Sequence, residues 1–134
     1  MAGSSAELHE DPARLSEGTI DRHRVIVSLM EELEAVDWYD QRVEATTDES
    51  LAELLAHNRD EEQEHAAMHL EWLRRHDPGS DEQLRTYLFT DRPLLTVEEA
   101  SEDGTDEDPA EGHRLPTNGS SGLGIGGMKG LESP

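Results

Sequence analysis

Glu62 and His65 stand three residues apart in the run Asn58-Arg59-Asp60-Glu61-Glu62-Gln63-Glu64-His65-Ala66-Ala67-Met68-His69. On a helix, residues at that spacing share a face, so one carboxylate and one imidazole can reach the same point in space. Glu-x-x-His pairs of this kind hold metal in helix bundles, where facing helices supply further carboxylates. Alone the pair is a weak signal, because Glu and His are common and an exposed partner pair on a polar helix is its ordinary meaning. Its chemistry depends on which way the helix turns it and on which other donors face it.

Composition limits what those donors can be. The chain has 134 residues, enough for one domain, and a hydrophobic content of only 33%, so its core must be small. With 32 acidic and 11 basic residues the formal charge is -21. That balance repels nucleic acid and anionic membranes and gathers cations. The sequence contains no cysteine, which removes thiolate zinc sites, iron-sulfur clusters, disulfides and cysteine nucleophiles. Any metal must be held by oxygen and imidazole. The longest apolar run, Val25-Ile26-Val27 with Leu29-Met30, is too short to cross a bilayer, and the acidic start lacks the regions of a signal peptide. The expectation is a soluble, cytoplasmic protein with no nucleic-acid or membrane partner.

The elements that position the pair follow from periodicity. Residues 1–15 are small and polar at their start and are expected to form a flexible arm. From about Ser16 to Ala45 the spacing predicts one long amphipathic helix, with Ile26, Leu29, Leu33 and Val36 in a stripe and Glu32 about 70° from its centre. Glu31 and Glu34 point elsewhere and share the opposite face with Trp38, an odd place for a large aromatic side chain unless another subunit covers it. Thr46-Thr47-Asp48 supplies N-cap chemistry for a second helix from about Glu49 to Arg75. The short link implies an antiparallel hairpin.

The core stripe of the second helix reads Leu51, Leu54, Leu55, Asn58, Glu62, His65, His69, Trp72 and Leu73. A carboxylate and an imidazole are thus predicted where packing would ask for leucine, and burying them unpaired would cost several kcal/mol. They need a partner or a cation. Glu61 is the competitor, able to pair with His65 at i, i+4, whereas Glu64 points further out. His69, one turn from His65, is a contact in the shell around the site, and Tyr39, two turns after Glu32, could hydrogen-bond near it. Asp77-Pro78-Gly79 ends the second helix, and Ser80-x-x-Gln83 predicts a capping box opening a short helix through about Phe89. The ordered domain is expected to span 16–97, with Leu94-Leu95-Thr96-Val97 as its last apolar segment. An acidic linker should occupy 98–121, and residues 122–134 read as a docking peptide anchored by Leu123, Ile125 and Met128.

A four-helix carboxylate site takes one Glu from each of two helices and a Glu-x-x-His pair from each of the other two. This chain supplies half of each. Glu32 lies on the first helix, Glu62 and His65 on the second, and no second pair is in phase. A two-fold dimer would supply four carboxylates and two imidazoles, a set suited to two irons. It is too rich in carboxylate for structural zinc, and its imidazoles argue against a calcium or magnesium cage. The fold class is therefore all-α: a two-helix antiparallel hairpin plus a short third helix, with a four-helix bundle completed by dimerisation.

The stretches Met30-Glu31-Glu32-Leu33-Glu34-Ala35-Val36-Asp37-Trp38-Tyr39, His57 to Ala66, Glu71-Trp72-Leu73-Arg74-Arg75 and Arg85-Thr86-Tyr87-Leu88-Phe89-Thr90 resemble the encapsulated ferritins, ferroxidases enclosed in encapsulin nanocompartments. The resemblance covers about residues 20 to 95. It implies ferroxidase ligands at Glu32, Glu62 and His65, metal-uptake residues at Glu31, Glu34 and Trp38, and dimers assembled into a decameric ring. It also implies a cargo-loading role for Leu123, Ile125 and Met128 on the encapsulin shell, with a departure at Gly127 and Met128 where Ser and Leu are more usual. The functional expectation is oxidation of Fe(II) to Fe(III) at a di-iron site holding two irons per dimer, feeding mineral storage inside the shell. Secondary acidic sites would accept calcium. The rival readings are a non-catalytic helical cargo or adaptor that only buffers metal, and another di-metal oxidase using manganese or peroxide.

Overall fold

The computed structural model describes residues 6–104, and all regular structure among them is helical. Asp11 accepts from the Ala13 amide at 2.9 Å and caps a 3-10 turn, Pro12–Arg14. The expected N-terminal arm therefore holds one capped turn. Helix α1, Glu17–Ala45, starts where the Ser16 hydroxyl accepts from the Thr19 amide at 3.2 Å. It ends at Thr46, whose backbone is extended. Asp48 then accepts from the Leu51 amide at 3.1 Å and the Ser50 hydroxyl at 2.7 Å, opening α2, Glu49–His76. Each cap meets an amide that the first helical turn would leave orphaned.

So short a link turns α2 back along α1. Asp40 Oδ1 meets Arg59 Nη1 at 3.0 Å, Glu32 lies beside His65 and His69, and the charge of Arg22 acts on Asp77. As the α1 number falls the α2 number rises, which is the antiparallel register. That register carries Glu32 to the Glu-x-x-His pair.

The hairpin covers only part of its apolar surface. No residue of α1 is buried, and in α2 only Ala66 is. Leu33 and Leu54 lie in the two predicted stripes and are 54% and 57% exposed. An amphipathic stripe is roughly 100° wide or more, and one neighbouring helix cannot cover that width.

At the far end the structure departs from expectation. Helix α3, Pro78–Tyr87, begins directly after Asp77, with Pro78 in its first turn. The predicted opening at Ser80 is displaced, because Ser80 lies inside the helix and donates its hydroxyl to Asp77 at 2.5 Å. A proline at the first helical position has no N–H to leave unsatisfied, so it starts this helix as well as closing the one before. The helix ends at Tyr87 rather than Phe89, which turns the chain at φ 60. Helix α4, Leu94–Glu102, then extends past the expected boundary at 97 into what read as linker. Pro93 precedes it, and apolar residues at 94, 97 and 100 recur at helical spacing, with Val97 only 3% exposed. The rest of the expected linker and the peptide carrying Leu123, Ile125 and Met128 lie outside the described residues. Among the described residues no helix is long and apolar enough to cross a membrane.

Candidate metal centre

Midway along the hairpin, Glu32 from α1 and Glu62 and His65 from α2 each offer one ligand atom within 4.8 Å of the others. His65 Nδ1 lies 3.3 Å from Glu62 Oε2 and 3.8 Å from Glu32 Oε2. One turn further, His69 Nδ1 lies 3.9 Å from the other Glu32 oxygen, Oε1. The two imidazoles thus approach different oxygens of one carboxylate.

Electrostatics separate the two acids. The adjacent Glu62 carboxyl is the first cause raising Glu32 from its ordinary value, with burial and the Glu62 charge adding to it. Interaction with Glu32 is the main cause lowering Glu62, helped by His65. A cation held between the two acids would need both of them deprotonated.

The Nδ1 atom of His69 is buried and has no hydrogen-bond partner, a costly state for a polar atom. Oxygen and imidazole donors in this proportion suit a first-row divalent metal better than calcium or structural zinc. The expected burial is only partly met in the single chain: Glu32 and Glu62 side chains are 21% and 25% exposed, and His65 is 46% exposed.

The other predicted residues fall elsewhere. Glu61 pairs with His57, Oε1 to Nε2 at 3.0 Å, and leaves His65 to Glu62. Tyr39 lies under the Arg42 guanidinium, which stands 5.5 Å from its ring centre. The same guanidinium stands 6.0 Å from the centre of the half-exposed Trp38 ring. Glu31 and Glu34 are exposed and join no group of three His, Asp or Glu ligands among the described residues. The secondary acidic sites expected for calcium likewise have no such cluster there. Helical phase placed His69 near the site, but only the register showed which Glu32 oxygen it approaches.

An all-helical hairpin presenting one Glu from the first helix and a Glu-x-x-His pair from the second is of the ferritin-like class. The profile of the EncFtn-like family matches residues 7–91. An "Encapsulated ferritin-like protein" of Rhodospirillum rubrum is 58% identical over 132 residues, spanning 97% of this chain and 93% of its own length. A "Ferritin-like protein" of Thermotoga maritima is 54% identical over 100 residues, spanning 75% of this chain and 88% of its own. A crystal structure of a Nitrosomonas europaea protein superposes with a TM-score of 0.63 at 59% identity, covering 65% of this chain and 96% of that one. The chain belongs to the EncFtn-like family.

Proposed function

We propose that this chain is a ferroxidase that works as a pair of copies. The observation that carries the reading is the cluster of Glu32, Glu62 and His65, whose ligand atoms lie within 4.8 Å of one another on a hairpin with half-uncovered apolar stripes. A second copy laid on that surface would complete a four-helix bundle and bring Glu32, Glu62 and His65 together with their mates. Two Fe(II) ions are the substrate, with Glu62 bridging and Glu32 and His65 holding each iron. Both carboxylates bind in their deprotonated forms. Each iron then loses one electron, and two electrons with two protons take one dioxygen to hydrogen peroxide. A carboxylate-rich donor set favours Fe(III) over Fe(II), which drives the oxidation.

Several further roles belong to the same reading. Pairs assemble into an open decameric ring, which has no closed cavity for mineral, so storage falls to a surrounding encapsulin shell in the cytoplasm. Leu123, Ile125 and Met128 dock the chain on that shell, and exposed Glu31, Glu34 and Trp38 take up iron from outside. The test is oxygen consumption on adding Fe(II). Consumption by the full chain, abolished in Glu32→Ala, Glu62→Ala and His65→Ala, supports the reading. Consumption unchanged in all three overturns it.

A further inference from the structure

We propose that His69 is a fourth metal-binding side chain of this centre, a second imidazole holding the same ion as His65 from the other side of Glu32. The inference rests on the site reading above and adds a ligand that helical phase had put only in its surroundings. Three observations carry it.

First, His69 Nδ1 is the one buried side-chain polar atom without a hydrogen-bond partner among the described residues, whereas His65 Nδ1 lies 3.3 Å from Glu62 Oε2. A buried nitrogen in that state costs free energy, and a lone pair directed at a cation recovers it. Second, the separation fits. Nδ1 stands 3.9 Å from Glu32 Oε1, beyond hydrogen-bond reach. Two ligand atoms bound at roughly 2.0–2.2 Å to one ion lie about 3–4 Å apart, and this pair falls in that range. Third, the arrangement is two-sided. His65 Nδ1 is 3.8 Å from Oε2 and His69 Nδ1 is 3.9 Å from Oε1, so the two imidazoles straddle the fork of one carboxylate at matching distances. His65 and His69 are four residues apart on α2, the spacing at which two histidines of one helix face can bind one ion. Each protomer then gives its ion two carboxylates and two imidazoles, and the extra neutral nitrogen leaves the count of ions per protomer unchanged.

A ligand and a nearby structural histidine differ in what they feel from a paramagnetic ion. The full chain is loaded with Co(II) and read in two ways: binding by titration calorimetry, and the exchangeable imidazole N–H protons that the bound ion shifts far downfield. A histidine bound through Nδ1 keeps its proton on Nε2, so the expected spectrum has two such resonances per protomer. His69→Ala and His69→Asn each remove one and weaken Co(II) binding by about 10–100-fold, while His65→Ala removes the other. His69 lies on a helix and is one-third exposed, so both replacements are compatible with the fold. A single resonance in the wild type, lost in His65→Ala and kept in His69→Ala, overturns the assignment of His69 while leaving the site reading intact. No Co(II) binding, or two resonances that survive His65→Ala, overturns the site reading and this inference with it.

Discussion

The α2–α3 corner and the middle of the hairpin are both crowded with charge, and they treat it in opposite ways. At the corner Glu71 and Asp81 each meet two guanidiniums. Arg74 bridges Glu71 and Asp81, Arg75 adds a bond to Glu71 at 3.1 Å, and Arg85 adds one to Asp81 at 2.9 Å. Trp72 and His76 stack with ring centres 3.8 Å apart, and the His76 Nδ1 lies 2.7 Å from the Trp72 carbonyl. In the middle, Glu32 lies beside Glu62, with imidazoles on both sides and one nitrogen unpartnered. The corner supplies its own cations. The middle is a set of donors close enough together to hold one cation, and among the described residues none of its ion pairs is with a guanidinium. A high acid count therefore signals nothing by itself, and what matters is which acids lack a fixed counter-charge.

That contrast can be broken or sharpened experimentally. The largest effect belongs to the middle: Glu62→Ala should lower aerobic Fe(II) oxidation by at least about 100-fold, since even residues that only support metal ligands are worth 10–100-fold. Stopped-flow absorbance of Fe(III) formation checks it. Next, Leu33→Glu with Leu54→Glu places charge on surface left open in the single chain. The hairpin should persist by circular dichroism, sedimentation velocity should show monomer, and oxidation should be lost although every ligand remains. The corner should behave otherwise. Glu71→Gln removes the negative charge and one of the two oxygens that accept from Arg74 and Arg75, lowers Tm by a few degrees because exposed ion pairs contribute little, and leaves iron oxidation unchanged.

The smallest effect is in the pH dependence of that corner. The two guanidiniums hold Glu71 down at about 2, from an ordinary 4.5. A group depressed on folding contributes stability above its unfolded value and loses it as pH falls through the folded one. Wild-type Tm should thus fall between about pH 4.5 and 2 more steeply than that of Glu71→Gln. Parallel Tm profiles over that range would remove Glu71 from the account.

The same two regions divide what was legible in the sequence. Both long helices and the grouping of Glu32, Glu62 and His65 followed from phase, because a helix fixes 3.6 residues per turn rigidly enough to assign faces over many turns; the Asp48 cap followed from residue type, and the Ser16 cap was not read from the sequence. The corner was less legible because its signals compete. Asp77-Pro78 can stop one helix or start another, and here it does both within one residue. Phe89 turns the chain in a left-handed conformation that its residue type does not announce. Helix α4 was carried by three apolar positions and a preceding proline, a pattern too short to separate from an apolar loop. Within the site, phase could not say that Glu61 would choose His57, since both histidines lie at i, i+4 from it. Nor could it give the placement of His69 against Glu32, which depends on the register between two helices.

On the proposed function the middle of the hairpin holds iron only as a pair of copies. Anaerobic titration of the apo chain with Fe(II), with bound iron and molar mass measured on the same fractions, puts this to the test. About two irons per dimer, none on monomer, and loss of binding in Glu62→Ala are expected. Iron bound equally by monomeric Leu33→Glu/Leu54→Glu protein, or binding indifferent to Glu62, would contradict it.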